Sequence, residues 1–165
     1  MNTPYNVLFL CTGNTARSVL AEAILNHEGG GKFNSFSAGS HPKGVVHPQT
    51  LKLLANVGYS IAGYRSKNWD EFAEVNSPQM DFVFTVCDNA AGEFCPVWIG
   101  KPMTAHWGIA DPAAVEGSEV VICEAFNLAY QQLRKRIVAF AALPIASLDS
   151  VNLKKQIDEI GRTND

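Results

Sequence analysis

Val7-Leu8-Phe9-Leu10-Cys11-Thr12-Gly13-Asn14-Thr15-Ala16-Arg17-Ser18 is the stretch on which the reading of this chain turns. Val7 to Leu10 form a continuous apolar run, the pattern of a strand buried on both faces. Cys11 stands where that strand should end. Thr12 to Ala16 are small residues, and Gly13 permits backbone angles that other residues resist. From Arg17 to about His27 the apolar positions Leu20, Ala21, Ile24 and Leu25 fall at helical spacing. The order is buried strand, small-residue loop, helix.

That order has a chemical use. Successive loop N–H groups and a helix N-terminus converge on one point and bind an anion there. Residues Thr12 to Ser18 are therefore the candidate oxyanion-binding loop: Thr12, Gly13, Asn14, Thr15, Ala16, Arg17 and Ser18. The planar fork of Arg17 can grip two oxygens of a tetrahedral oxyanion. The same groups should favour the Cys11 thiolate, since cysteines in such settings have pKa values of roughly 3.5–7.5 against about 8.5 for the free side chain. Cys11 is the candidate nucleophile beneath the oxyanion, with the Ser18 hydroxyl placed to donate to the sulfur.

The remaining chain continues an α/β pattern. Gly29 to Gly31 end the first helix. Phe33 to Ala38 alternate as a second strand stopped by Gly39, which makes a right-handed parallel βαβ unit. Pro48 opens a second helix with Gly58 near its end. A short helix is expected around Trp69 to Glu74, and Asp81 to Val86 read as a third apolar strand ending at Cys87. In a parallel sheet Cys11 and Cys87 emerge at the same carboxyl edge, where such folds bind ligands. Met103 to Trp107 read as a short fourth strand, and Glu119 to Ala142 as the longest helix, with Ile122, Phe126, Ala129, Leu133, Ile137 and Phe140 as its buried stripe. Cys123 lies beside that stripe as a small core hydrophobe. Pro144 breaks the helix, and Ser147 should cap a last short one, about Leu148 to Ile160.

Length and composition set bounds. At 165 residues one domain is expected, with residues 1–143 as its body and 144–165 as a C-terminal extension of a short helix and polar tail. A hydrophobic content of 47% with 18% charged residues is that of a globular protein. The apolar runs are too short to span a membrane. Residues 1–10 lack the features of a signal peptide, so a cytoplasmic location is expected. A net charge of −3 with no basic cluster argues against nucleic acid as a partner. The four histidines are scattered, and Cys87 and Cys95 lie too far apart for zinc-knuckle spacing, so no metal site is expected. A monomer is expected.

The loop Cys11-Thr-Gly-Asn-Thr-Ala-Arg17-Ser18 resembles the signature loop of the low-molecular-weight protein tyrosine phosphatase superfamily, which includes the bacterial arsenate reductases. The resemblance implies a single-domain three-layer α/β sandwich with a four-stranded parallel sheet. It also gives Asp111-Pro112 the place of that superfamily's general acid, which protonates a leaving oxygen. Phosphatases of the superfamily usually carry Tyr after Asp-Pro, where this chain has Ala113 and Ala114.

Resemblance to the arsenate reductases extends over Ser37-Ala-Gly-Ser-His-Pro42, Tyr64-Arg-Ser-Lys-Asn-Trp69, Val86-Cys-Asp-Asn-Ala-Ala91 with Cys95-Pro96, and Ala105-His-Trp-Gly108. It implies arsenate as substrate, with phosphate or sulfate competing, and a thiol relay from Cys11 through Cys87 to Cys95. No bound cofactor is implied; an external thiol, thioredoxin or glutaredoxin with glutathione, regenerates the protein. A weak phosphatase side activity is expected. Where some relatives hold a monovalent cation beside the loop Asn, this chain places Lys67, whose ammonium is expected to meet Asn14, Glu22 or the Ser37 region. Two other readings compete: a low-molecular-weight phosphatase acting on phosphomonoesters, and an oxyanion- or redox-sensing binding module without turnover.

Overall fold

The computed structural model describes residues 3–87, 98 and 100–162. Four strands, β1 (Tyr5–Cys11), β2 (Phe33–Gly39), β3 (Phe82–Thr85) and β4 (Met103–His106), form one sheet. Its order is β2-β1-β3-β4, and every adjacent pair is parallel. The helices are α1 (Arg17–Glu28), α2 (Pro48–Asn56), α3 (Glu119–Ala141) and α4 (Ser150–Gly161), with short 3-10 turns at Trp69–Phe72, Pro112–Ala114 and Ile145–Ser147. None of these helices is long and apolar enough to cross a membrane.

Strand alternation sorts the core into two layers. Val7, Phe9 and Cys11 face the larger cluster, which they share with Leu20 and Ile24 of α1, Leu53 and Leu54 of α2, Phe126, Leu133, Ile137 and Phe140 of α3, and Leu153 and Ile157 of α4. Leu8, Leu10, Ala38 and Val83 face the other side and pack on Trp69, Met80 and Trp98. The three-layer α/β sandwich expected from the sequence is therefore the architecture. Trp107 anchors its centre: the ring stacks on Phe84 at 4.1 Å, and Nε1 donates to the Ile157 carbonyl of α4 at 3.0 Å. A Cβ on Gly161 would lie 2.5 Å from Trp107 Cδ1, so only glycine lets α4 sit this close.

Most element boundaries fall within two residues of those expected. The start of the last helix differs. Ser147 does not cap it; its N–H closes the 3-10 turn by donating to Pro144 O at 2.9 Å. Asp149 caps α4 instead, accepting from the N–H of Asn152 at 2.8 Å. A carboxylate at this position also complements the helix dipole. Cys123 is half-buried rather than a core residue, with its sulfur 3.7 Å from Gln49 Oε1. The segment from Asp88 to Val97, with Cys95 in it, lies outside the described residues.

Candidate functional site

Chain order fixes where a crevice must open. The connection from β1 leads to β2 on one side of it, while β3 pairs on the other. The loops after β1 and β3 diverge there, and that is where α/β sheets bind ligands. Cys11 ends β1, and Cys87 lies two residues beyond β3. The register sets Leu10 opposite Thr85, and the Val86 N–H donates to Leu10 O at 2.9 Å. Both sulfurs are thereby brought together. The two thiols share a hydrogen bond, Thr12 Oγ1 lies 3.5 Å from the Cys87 sulfur, and both cysteines are buried.

The loop between β1 and α1 is held by its carbonyls. Those of Cys11, Thr12, Gly13 and Thr15 accept from the N–H groups of Ser40, His41, Lys43 and His47. Ser66 Oγ adds a bond to Gly13 O at 3.0 Å, and Thr50 Oγ1 one to Thr15 O at 2.8 Å. These bonds to the surrounding chain fix the loop backbone between β1 and α1. Among the described residues no side chain caps the N-terminus of α1, which leaves that helix end open to an anion.

Asn14 is the pin of the loop. It is fully buried and has a φ of 51°, a left-handed conformation that Asn tolerates better than most residues. Its Nδ2 donates to Ser18 Oγ at 2.7 Å and Ser37 Oγ at 3.0 Å, and its Oδ1 accepts from the backbone N–H of Lys67 at 2.9 Å. Ser37 in turn donates to Glu22 Oε1, which stands 4.0 Å from Lys67 Nζ. Lys67 Nζ also donates to Arg65 O at 2.9 Å. Burial pushes the Glu22 carboxyl up, against the pull of Ser37, Lys67 and Arg65. Burial likewise pushes the Lys67 ammonium down, against the pull of Glu22. The structure thus gathers Asn14, Glu22, Ser37 and Lys67 beneath the loop.

Arg17 lies between the loop and the β4 exit. Its Nη1 donates to Ile109 O at 3.1 Å, and its Nη2 lies 3.4 Å from Asp111 Oδ2. Its Nε is buried and has no acceptor among the described residues. One donor of the fork is therefore uncommitted among the described residues. Asp111 caps the 3-10 turn after it, accepting from the Ala113 N–H at 2.9 Å, and keeps a 38% exposed side chain.

The protonation of Cys11 departs from expectation. Its thiol is held well above the ordinary value, first by the hydrogen bond to Cys87, then by burial and the charge of the neighbouring sulfur. Arg17 and the Asn14 N–H pull the other way, as expected from the sequence, but are outweighed. The second thiol, 76 residues along the chain, outweighs the loop and Arg17 beside which Cys11 sits in sequence. It follows that Cys87→Ala should let iodoacetamide alkylate Cys11 faster at neutral pH, with a rate profile shifted to lower pH. Superimposable profiles for the variant and the wild type would show that Cys87 does not hold the proton.

Two contributors carried little or no signal in the sequence. Gly39 is required because a Cβ there would lie 2.4 Å from Thr12 O; a glycine closing an alternating strand was the available clue. Ile109 contributes through its carbonyl alone, which no side-chain pattern reveals.

A strand-end thiol at the switch point of a parallel sheet, close to a second thiol and to the N-terminus of α1, marks a cysteine-bearing α/β protein of the phosphatase-like fold. The chain belongs to the low molecular weight phosphotyrosine protein phosphatase family, whose model matches residues 6–156. An arsenate reductase from Halalkalibacterium halodurans is 33% identical over 135 residues, 82% of this chain and 94% of that protein. Among solved structures, an arsenate reductase from Archaeoglobus fulgidus matches with a TM-score of 0.65 at 28% identity, covering 83% of this chain and 99% of the other. A thioredoxin-dependent arsenate reductase from Corynebacterium glutamicum matches with a TM-score of 0.56 at 27% identity, covering 81% of this chain; the present chain spans 61% of that protein.

Proposed function

We propose that this chain is an arsenate reductase that uses Cys11, Cys87 and Cys95 in sequence. The observation that carries the reading is the hydrogen-bonded pair Cys11 and Cys87 beneath an oxyanion loop. A phosphatase of this family needs the first thiol only. Arsenate binds the loop N–H groups and Arg17, and the Cys11 thiolate attacks arsenic while Asp111 gives a proton to the departing oxygen, which leaves as water. The Cys87 thiolate then attacks the Cys11 sulfur. The sulfur–arsenic bond breaks, its electron pair stays on arsenic, arsenite leaves, and a Cys11–Cys87 disulfide remains. The Cys95 thiolate attacks the Cys87 sulfur, releasing Cys11 and leaving Cys87–Cys95 for an external dithiol. Thioredoxin is the first such dithiol to offer, since the Corynebacterium glutamicum relative is described as depending on it.

One experiment separates the readings: arsenite formation with thioredoxin, glutaredoxin plus glutathione, or neither, in wild type and Cys95→Ala. The variant should release a single arsenite per protein and accumulate a Cys11–Cys87 disulfide visible by mass spectrometry. Sustained turnover without that species would make Cys95 a bystander. The same Cys11, Arg17 and Asp111 supply a slow aryl-phosphate hydrolysis that survives Cys87→Ala. Hydrolysis at the rate of a dedicated phosphatase, with no arsenite formed, selects the phosphatase instead.

Lys67 is proposed to take the place of a bound monovalent cation under the loop, by its ion pair with Glu22 and its backbone bond to Asn14. Wild-type turnover should be indifferent to replacing sodium with potassium, and Lys67→Ala should lower it. Potassium-dependent wild-type turnover would sink this role.

A further inference from the structure

We infer that Arg136 is a positioning residue of the oxyanion site, acting through the backbone of Trp107 to Ile109 on the guanidinium of Arg17. Arg136 lies on the buried face of α3, between Leu133 and Phe140 in the stripe, and is only 7% exposed. An apolar residue would fill that place at lower cost, because taking a cation out of water is expensive. What the guanidinium does there is specific. Its Nη1 donates to Trp107 O at 3.0 Å and to Gly108 O at 3.2 Å. Two consecutive carbonyls on one donor fix two peptide planes as the chain leaves β4.

The residues on either side are already tied down. The Trp107 N–H donates to Thr85 O at 2.7 Å, and the Ile109 N–H to Val86 O at 3.1 Å. With planes 107 and 108 turned toward α3, the next carbonyl, Ile109 O, accepts from Arg17 Nη1 at 3.1 Å. Asp111 follows two residues on, beside Arg17 Nη2. A short chain of bonds therefore runs from a helix in the core to the group that grips the oxyanion. Arg17 has several staggered rotamers open to it; this chain of bonds selects one of them.

The assignment rests on the loop being an oxyanion site. Its test reads binding of inorganic phosphate, so it is separate from the reductase reading: a protein that binds phosphate without reducing arsenate would defeat the latter alone. Phosphate affinity is measured by titration in wild type, Arg136→Met, Arg17→Ala and the double variant, with Arg136→Lys as the conservative rescue. Arg136→Met should weaken phosphate binding at least about tenfold in the Arg17 background. It should change it less than about twofold in the Arg17→Ala background, because the group it positions is then gone. Arg136→Lys, with one ammonium for the two carbonyls, should fall between. Equal losses in both backgrounds, or unchanged affinity in Arg136→Met, would overturn the inference. If Arg136→Met does not fold, Arg136→Lys decides the matter: wild-type affinity overturns it, and a loss confined to the Arg17 background supports it.

Discussion

Cys11→Ser should form no arsenite with any reductant, while phosphate still binds. The substitution exchanges one atom at the end of β1. The loop carbonyls remain engaged by Ser40, His41, Lys43 and His47, and Asn14 keeps its bonds to Ser18, Ser37 and Lys67. The anion site should therefore survive, with affinity for phosphate within a few-fold of wild type. A serine hydroxyl is a poor nucleophile without an adjacent base, and no oxygen can stand in for the sulfur that Cys87 must attack. Loss of function should be complete, because the covalent intermediate and the first disulfide both contain this atom. The check pairs phosphate titration with an arsenite assay over many protein equivalents of substrate. Arsenite beyond the background of free thiols, or loss of phosphate binding together with unchanged thermal stability, would contradict the role given to Cys11.

Arg17→Lys should be the second most damaging change, lowering kcat by about 100- to 1,000-fold, the range for loss of one preorganised oxyanion donor. Arg17 commits Nη1 to Ile109 O and Nη2 toward Asp111, while its buried Nε has no acceptor among the described residues. A lysine ammonium carries the charge at one point and cannot hold both the β4 exit and the oxyanion. Phosphate affinity should fall with kcat, since the fork acts in binding as well as in the reaction. Thermal unfolding should move little, because Arg17 is not part of the apolar core. Wild-type phosphate affinity in Arg17→Lys would remove Arg17 from the oxyanion site. A large drop in melting temperature would indicate a folding role instead.

Local pattern made much of this protein legible. The run Val7 to Leu10 could only be a buried strand. Small residues then Arg17 and Ser18 marked the candidate anion loop, and the spacing on residues 119–141 marked α3. These are short-range signals, set by side-chain period and backbone freedom within a dozen residues. The proximity of Cys11 and Cys87 was also readable, because parallel strands deliver their ends to one edge. Three things were not. The Cys11 proton is governed by the neighbouring thiol and by burial, which outweigh the arginine and the loop N–H. Ser147 loses the cap to Asp149 because the turn after Pro144 uses its backbone first. Arg136 looks like an interruption of the α3 stripe until the fold sets it against the carbonyls of Trp107 and Gly108. The sequence by itself determined the elements and the sheet edge, and it pointed to Cys11 and Arg17 as the candidate nucleophile and its arginine. Only the tertiary structure decided the state of the thiol and the path by which the arginine is held. Both depend on groups distant in the chain, and their distances come into being only when the sheet and α3 pack.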